Sequence, residues 1–269
     1  SQKLSINQAI SIEIKPNSIS KYLGDRQLKV LVAGCGTGQQ ILHTQIYKNV
    51  QVTAIDLSLS SLSYAQRKIN ELKIDNVELI QMDILEVALL EEQYDIIECS
   101  GVLHHMDDPL KGLKALLTVL KANGFLKLGL YSELARQDVI RAKEYIARKK
   151  LKTIKNDIQI FREDVISGNF PEIENIKQRS SFYSTSECRD LCFHKKEHRF
   201  TIKQLRQTLH DNELKFLGFI LQNSVKSLYK RYFPNDKRQI NLTNWAKFEE
   251  KHSNTFNAMY QFWVSRKEM

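Results

Sequence analysis

Between residues 28 and 131, short apolar runs alternate with stretches whose apolar positions recur at helical spacing. Leu28–Ala33, Val50–Ile55, Val77–Gln81, Tyr94–Cys99 and Phe125–Tyr131 are dense in aliphatic and β-branched residues and predict five strands. Gly38–Tyr47, Ser60–Leu72 and Pro109–Leu120 predict the helices between them. Leu62, Ala65, Ile69 and Leu72 mark one face of the second helix, and Leu110, Leu113, Leu116, Leu117 and Leu120 one face of the third. Asn123-Gly124 reads as the stop after that third helix. Strands alternating with helices imply crossover connections. The expected fold is therefore α/β, a doubly wound and mostly parallel sheet.

After Tyr131 the pattern changes. Residues 134–155 predict one long basic helix, and residues 156–200 read as polar and irregular. Thr201–Asn212 returns to helical spacing through Ile202, Leu205 and Leu209, and Leu214–Leu221 and Ala258–Val264 predict two late strands. No linker rich in Pro, Gly and Ser separates the halves, so insertion into one sheet is preferred over a separate helical domain. The expected organisation is an N-terminal segment at 1–24 and a ligand-binding core at 25–131. An inserted lid or substrate segment follows at 132–200. Residues 201–269 complete the sheet, with an insertion at 222–255.

Composition narrows the class. The chain has 269 residues, 42% of them hydrophobic, which is enough to bury a core and too apolar for a disordered protein. No run of about 18 apolar residues exists, so no membrane-spanning helix is expected. Ser1 to Lys15 lacks a basic cluster followed by an apolar stretch, so no secretory signal is read there. The four cysteines, Cys35, Cys99, Cys188 and Cys192, are too few and too unevenly spaced for a disulfide framework, which points to a cytoplasmic location.

The formal net charge is +9, unevenly spread: residues 25–131 hold 10 basic and 13 acidic side chains, and the excess lies beyond them. The densest stretch, 136–155, carries Arg136, Arg141, Lys143, Arg148, Lys149, Lys150, Lys152 and Lys155. Such a stretch can attract RNA or another acidic partner, but no aromatic interleaving accompanies it. A solvated helix face is the preferred reading.

The chemistry concentrates at Gly34-Cys35-Gly36-Thr37-Gly38. A buried strand runs into a tight turn with glycine at alternate positions, where a ligand can touch bare backbone. Asp56 lies 20 residues after Gly36, at the end of the next strand, placed to accept hydrogen bonds from both hydroxyls of a ribose. A dinucleotide site needs a third glycine, and that position is Gln39. A nicotinamide-dependent dehydrogenase is accordingly disfavoured.

In these motifs the chain resembles the class I S-adenosylmethionine-dependent methyltransferases. Gly34–Gly38 matches their first motif, and Val52-Thr-Ala-Ile-Asp56-Leu-Ser58 the second. Asn76-Val-Glu-Leu-Ile-Gln-Met-Asp83-Ile matches the third, and the run from Tyr94 through Ser100-Gly101-Val-Leu-His104-His105 the fourth. Phe125–Tyr131 matches the fifth strand. The tail also resembles methyltransferase domains that bacteria often fuse to tetratricopeptide repeats.

The resemblance implies a seven-stranded Rossmann-like sheet with an antiparallel last strand, and S-adenosylmethionine as cofactor. It places Gly34, Cys35, Gly36, Thr37 and Gly38 at the methionine part, Asp56 at the ribose, and Leu57 on the adenine face. Asp83, with Met82 and Ile84, falls at the adenine amino group, and Ser100 and Gly101 beside the methyl group.

Methyl transfer needs a nucleophile held in line, with a base near neutral pKa where the acceptor must lose a proton. His104 and His105 follow the fourth strand and are the candidate bases, with Tyr131 at the end of the fifth as a further catalytic candidate. The position after strand four carries no Asn/Asp-Pro-Pro-aromatic motif, which disfavours nucleobase amines, and the paired-glutamate loop of protein arginine methyltransferases is absent. A His-His loop is commoner among methyltransferases acting on small molecules.

The polar run from Ser181 to Arg199 could lie over the acceptor, with Arg136, Tyr183, Arg189 and His194 as candidate acceptor-binding residues. A polar helix docked on the sheet is the competing reading. Cys188, Cys192, His194 and His198 do not have a usual zinc spacing, so no metal is expected. The function expected is transfer of a methyl group from S-adenosylmethionine to a small-molecule or protein side-chain acceptor. The alternatives are RNA methylation through 136–155 and a non-catalytic cofactor-binding regulatory module. Nothing in the sequence signals an oligomeric state.

Overall fold

The computed structural model describes residues 3–20, 26–194 and 196–267. Residues 1–2 and 21–24 of the expected N-terminal segment lie outside that set. Helix α1 (Ile6–Glu13) starts at Ser5 in a capping box with Gln8. Then come β1 (Leu28–Ala33), α2 (Gln39–Thr44), β2 (Val50–Asp56), α3 (Leu59–Glu71), β3 (Val77–Gln81), β4 (Tyr94–Ser100), α4 (Pro109–Thr118) and β5 (Leu120–Leu130).

The helix starts follow local chemistry. Ser58 caps α3 by accepting the Ser61 N–H. Asp108 caps α4, accepting from Leu110 and Lys111 ahead of a first-turn proline.

The remaining elements are α5 (Gln137–Arg148), α6 (Lys155–Ser167), α7 (Thr185–Cys188), α8 (Ile202–Asp211), β6 (Leu214–Phe219), α9 (Asn223–Tyr232), α10 (Leu242–Lys251) and β7 (Tyr260–Arg266). One seven-stranded sheet runs in the order β3-β2-β1-β4-β5-β7-β6. β1 to β5 are parallel, and β7 pairs antiparallel with both β5 and β6. This is the expected doubly wound, mostly parallel sheet of seven strands, with β7 antiparallel. Its strand order reverses between β1 and β4, where both parallel neighbours point their carboxyl ends at one crevice.

Each face of the sheet has its own core. Leu31, Ile97, Leu126 and Phe262 pack with Leu113, Leu116 and Trp245 on one side, and Val30, Val52, Ile96 and Trp263 with Ile6, Ile10, Leu62 and Ile69 on the other.

Three sequence expectations are corrected. The 134–155 helix is two helices: α5 ends at Arg148, and Lys150 takes a left-handed φ of 54° that no helix continues through. Residues 156–200 are not irregular. Ile158, Phe161 and Val165 of α6 join Val139, Ala142 and Tyr145 of α5 and Ile173, Ile176 and Phe182 in a third core. Charged residues between those apolar positions hid the period. Asn123-Gly124 does not separate two elements. It lies inside β5, where the register against β4 jumps from Tyr94↔Leu120 to Ile96↔Phe125, an irregularity of the kind a β-bulge makes.

Among the described residues, no helix is long and apolar enough to cross a membrane.

Candidate active site

The turn after β1 is tied to β2 at its base, where the N–H groups of Gly34 and Cys35 both reach the Ile55 carbonyl, at 2.8 and 3.0 Å. Gly34 has φ +74°, and a Cβ built there would lie 2.4 Å from Cγ2 of Val102. Gly36, at φ +51°, has open space where its Cβ would stand. One glycine lets the loop after β4 close down on the turn, and the other leaves bare backbone beside the crevice.

Asp56 is held by two backbone donors: Gly36 N–H to Oδ2 and Ser58 N–H to Oδ1, both at 2.8 Å. Each carboxylate oxygen keeps a second acceptor site. Gln40 bridges α2 to the end of β4, its Nε2 donating to the Ser100 carbonyl at 2.7 Å and its Oε1 accepting the Ser100 N–H at 3.3 Å. Gln40 carried no signal in the sequence, because its role depends on α2 facing β4.

A cavity of about 620 Å³ opens at the carboxyl ends of these strands, lined by Gly34, Asp56, Leu57, Met82, Asp83, Ile84 and His105 among others. Leu57 is 64% exposed, an apolar surface left bare at a cavity wall. Asp83 Oδ1 accepts the Leu85 N–H at 2.9 Å. Cys35, Gly36, Thr37, Gly38, Ser100 and Gly101 do not line the cavity. Cys35 is buried and burial pushes its thiol up to about 12, so it packs and does not react.

The sequence reading missed Leu85, Val102, Met106, Asp107, Asp108 and Lys111, which complete the lining. The Asp108-Pro109 helix start was the available signal, since a cap at the carboxyl edge of the sheet puts polar groups at the mouth.

The two histidines separate sharply. His104 is fully buried, neither ring nitrogen has a hydrogen-bond partner, and burial pushes its pKa down to about 2. Its ring stacks on Tyr131 at 3.6 Å between centroids. It does not line the cavity, where a base would meet an acceptor. His105 does line the cavity, and burial also lowers its pKa, leaving a neutral imidazole near neutral pH. Its Nδ1 lies 3.2 Å from the Lys196 carbonyl.

Tyr131 is held between His104 and Arg136, whose guanidinium sits 3.6 Å from the Tyr131 ring centroid. Arg136 is itself 2% exposed and forks onto Glu197 through Nε and Nη2, both at 2.8 Å. Arg136 is thus turned to Glu197 through two of its nitrogens and is not on the cavity wall.

His194 stands beside His105 with centroids 4.3 Å apart. Tyr183 packs edge-on against Phe182, and its carbonyl accepts from Arg162. Arg189 is exposed. Neither Tyr183 nor Arg189 lines the cavity. Among the described residues, no group of three or more His, Cys, Asp or Glu is gathered to hold a metal.

The donor set fits an adenosyl sulfonium. Asp56 offers paired acceptors, Leu57 a bare apolar wall and Gly36 an open approach, while the buried Ser100 Oγ has no partner in the protein. Sheet order, glycine turn and carboxylate together are those of a class I methyltransferase fold.

Known proteins agree. Residues 30–124 match the family model described as a methyltransferase domain. An uncharacterised protein of Synechococcus is 31% identical over 202 residues, which cover 71% of this chain and 48% of that protein. Ubiquinone biosynthesis O-methyltransferase of Histophilus somni is 35% identical over 108 residues, 38% of this chain and 44% of that enzyme. The structure of PKMT2 from Rickettsia typhi in complex with AdoHcy superposes with a TM-score of 0.69 at 19% identity, covering 90% of this chain and 50% of that one. At that identity it shows a shared fold. The chain spans about half the length of the curated relatives it matches. Residues 30–124 thus carry a methyltransferase domain.

Proposed function

We propose that this protein transfers the methyl group of S-adenosylmethionine to a nucleophile on a small molecule or a protein side chain, with His105 as general base. One observation carries the reading: a neutral histidine shares a single cavity with the Asp56, Leu57 and Asp83 walls. The cofactor, when bound, supplies an electrophilic methyl group on a sulfonium.

The chain's own residues do the rest. Asp56 would hold the ribose hydroxyls on the lone pairs that Gly36 and Ser58 leave free. Asp83 would accept from the adenine amino group, and Leu57 would cover the ring. His105 takes the proton of an amine, thiol or hydroxyl on Nε2 as the new bond forms, and later returns it to water. Holding the nucleophile in line and excluding water provides most of the acceleration.

The RNA alternative is weakened by the fate of the basic segment. Arg136 and Lys143 pair with Glu197, and Arg148 pairs with Glu172. Cytoplasmic location is supported by four unpaired thiols.

The test is incubation with methyl-labelled cofactor and a fractionated cell extract. Label in metabolites or protein supports the proposal, label in RNA replaces the acceptor class, and tight cofactor binding without label favours the regulatory module.

A further inference from the structure

We propose that Lys196–Phe200, a strap returning from the inserted helices, fixes the tautomer of His105, and that Glu197 is the positioning residue that anchors the strap. This rests on His105 being the base.

The strap threads between the two loops that carry the site chemistry. His198 N–H donates to the His104 carbonyl at 2.7 Å, and Phe200 N–H to the Tyr131 carbonyl at 2.8 Å. The Phe200 carbonyl accepts the Glu133 N–H at 2.9 Å. Glu197 lies between these contacts with its side chain 1% exposed. A carboxylate so buried requires compensation, and it has it: the fork of Arg136 and the ammonium of Lys143 at 3.0 Å. Burial alone would raise its pKa, but Arg136 and Lys143 outweigh burial and hold it below the ordinary carboxylate range. Both cations belong to the segment from Arg136 into α5, so Glu197 locks the strap to the insertion.

What the strap presents to the site is a carbonyl. The Lys196 oxygen lies 3.2 Å from His105 Nδ1 and 2.7 Å from His194 Nδ1. A carbonyl only accepts, so both Nδ1 atoms carry hydrogen. On a neutral His105 ring this leaves Nε2 bare, the lone pair a base needs. An unconstrained neutral imidazole prefers the opposite tautomer, so the strap reverses an intrinsic preference. The column Glu197–Arg136–Tyr131–His104 then backs the edge of His105, whose centroid lies 4.4 Å from that of His104.

The experiment is nitrogen-15 NMR of histidine-labelled protein near neutral pH, read beside methyl-transfer rates and cofactor affinity. In the wild type, His105 is expected with Nδ1 protonated and Nε2 bare. A wild-type His105 protonated on Nε2 overturns the inference, whatever any variant does. Glu197→Gln is expected to shift His105 toward the Nε2–H tautomer. It should also lower turnover by about 10- to 100-fold, with cofactor affinity unchanged.

Arg148→Ala breaks an exposed ion pair of the same insertion and is expected to change neither readout. A Glu197→Gln protein that folds and keeps the wild-type tautomer overturns the anchoring role. Absence of any methyl acceptor, with the tautomer still dependent on Glu197, sinks the proposed function and leaves the strap inference standing.

Discussion

Asp56 accepts the backbone N–H of Gly36 at 2.8 Å, so the carboxylate that ends β2 is bonded to the glycine turn that ends β1. The second oxygen of Asp56 accepts from Ser58, the cap of α3. One side chain therefore ties the ends of β1 and β2 together at the cavity wall.

Replacing that side chain removes both bonds. Asp56→Ala should lose the charge-assisted contacts to ribose, about 1.5–3 kcal/mol, or roughly 10- to 100-fold in cofactor affinity. Calorimetric titration checks it. Unchanged affinity in a folded variant would mean the ribose lies elsewhere.

The two histidines should respond oppositely. His105→Ala is expected to lower turnover by about 10²- to 10⁴-fold without weakening cofactor binding. His104→Phe fills the same buried space with an apolar ring, and neither nitrogen of His104 has a partner to lose. Thermal stability should hold or rise and turnover persist. If a folded His104→Phe protein is inactive, the base assignment returns to His104.

Gly34→Ala meets two penalties, a left-handed φ and a Cβ placed 2.4 Å from Val102 Cγ2. The conformational part costs about 1–2 kcal/mol and the overlap about 1–3. Adding Val102→Ala should relieve the second part only. Urea unfolding of the single and double variants separates the two, and equal loss in both would show that Val102 does not press on the turn.

Acid should loosen the start of β4. Asp95 accepts from the Lys29 N–H, from Arg26 and from Lys121, and its side chain is 2% exposed. Burial pulls its pKa up, but those donors outweigh burial and hold it below the ordinary 3.8. The stabilisation is thus present above that value and lost as pH falls through the depressed one. Asp95→Asn should be less stable than wild type at neutral pH, and the gap should close in acid. Urea midpoints across a pH series test this, and a gap that persists unchanged below about pH 3 would refute it.

The sheet was legible because its inner strands are almost wholly buried and dense in aliphatic positions, as in Leu28–Ala33 and Tyr94–Cys99, with only Lys29, Asp95 and Glu98 interrupting these two. Gly34, Asp56 and Asp83 were legible because each sits at a strand end, where spacing along the chain maps directly onto position in space. The insertion was not. Phe161 and Val165 face a core built with Ile173 and Phe182, and no periodicity announces a partner that lies in another short helix. Gln40 and Glu197 were equally silent, since each acts on a residue about sixty positions away.

The sequence by itself determined the sheet and the crevice at its carboxyl edge, because apolar runs and glycine turns are local consequences of chain chemistry. Only the tertiary structure told His105 apart from His104. Two adjacent identical side chains differ solely in what surrounds them: one ring is sealed against Tyr131, and the other is turned to the cavity with Lys196 behind it.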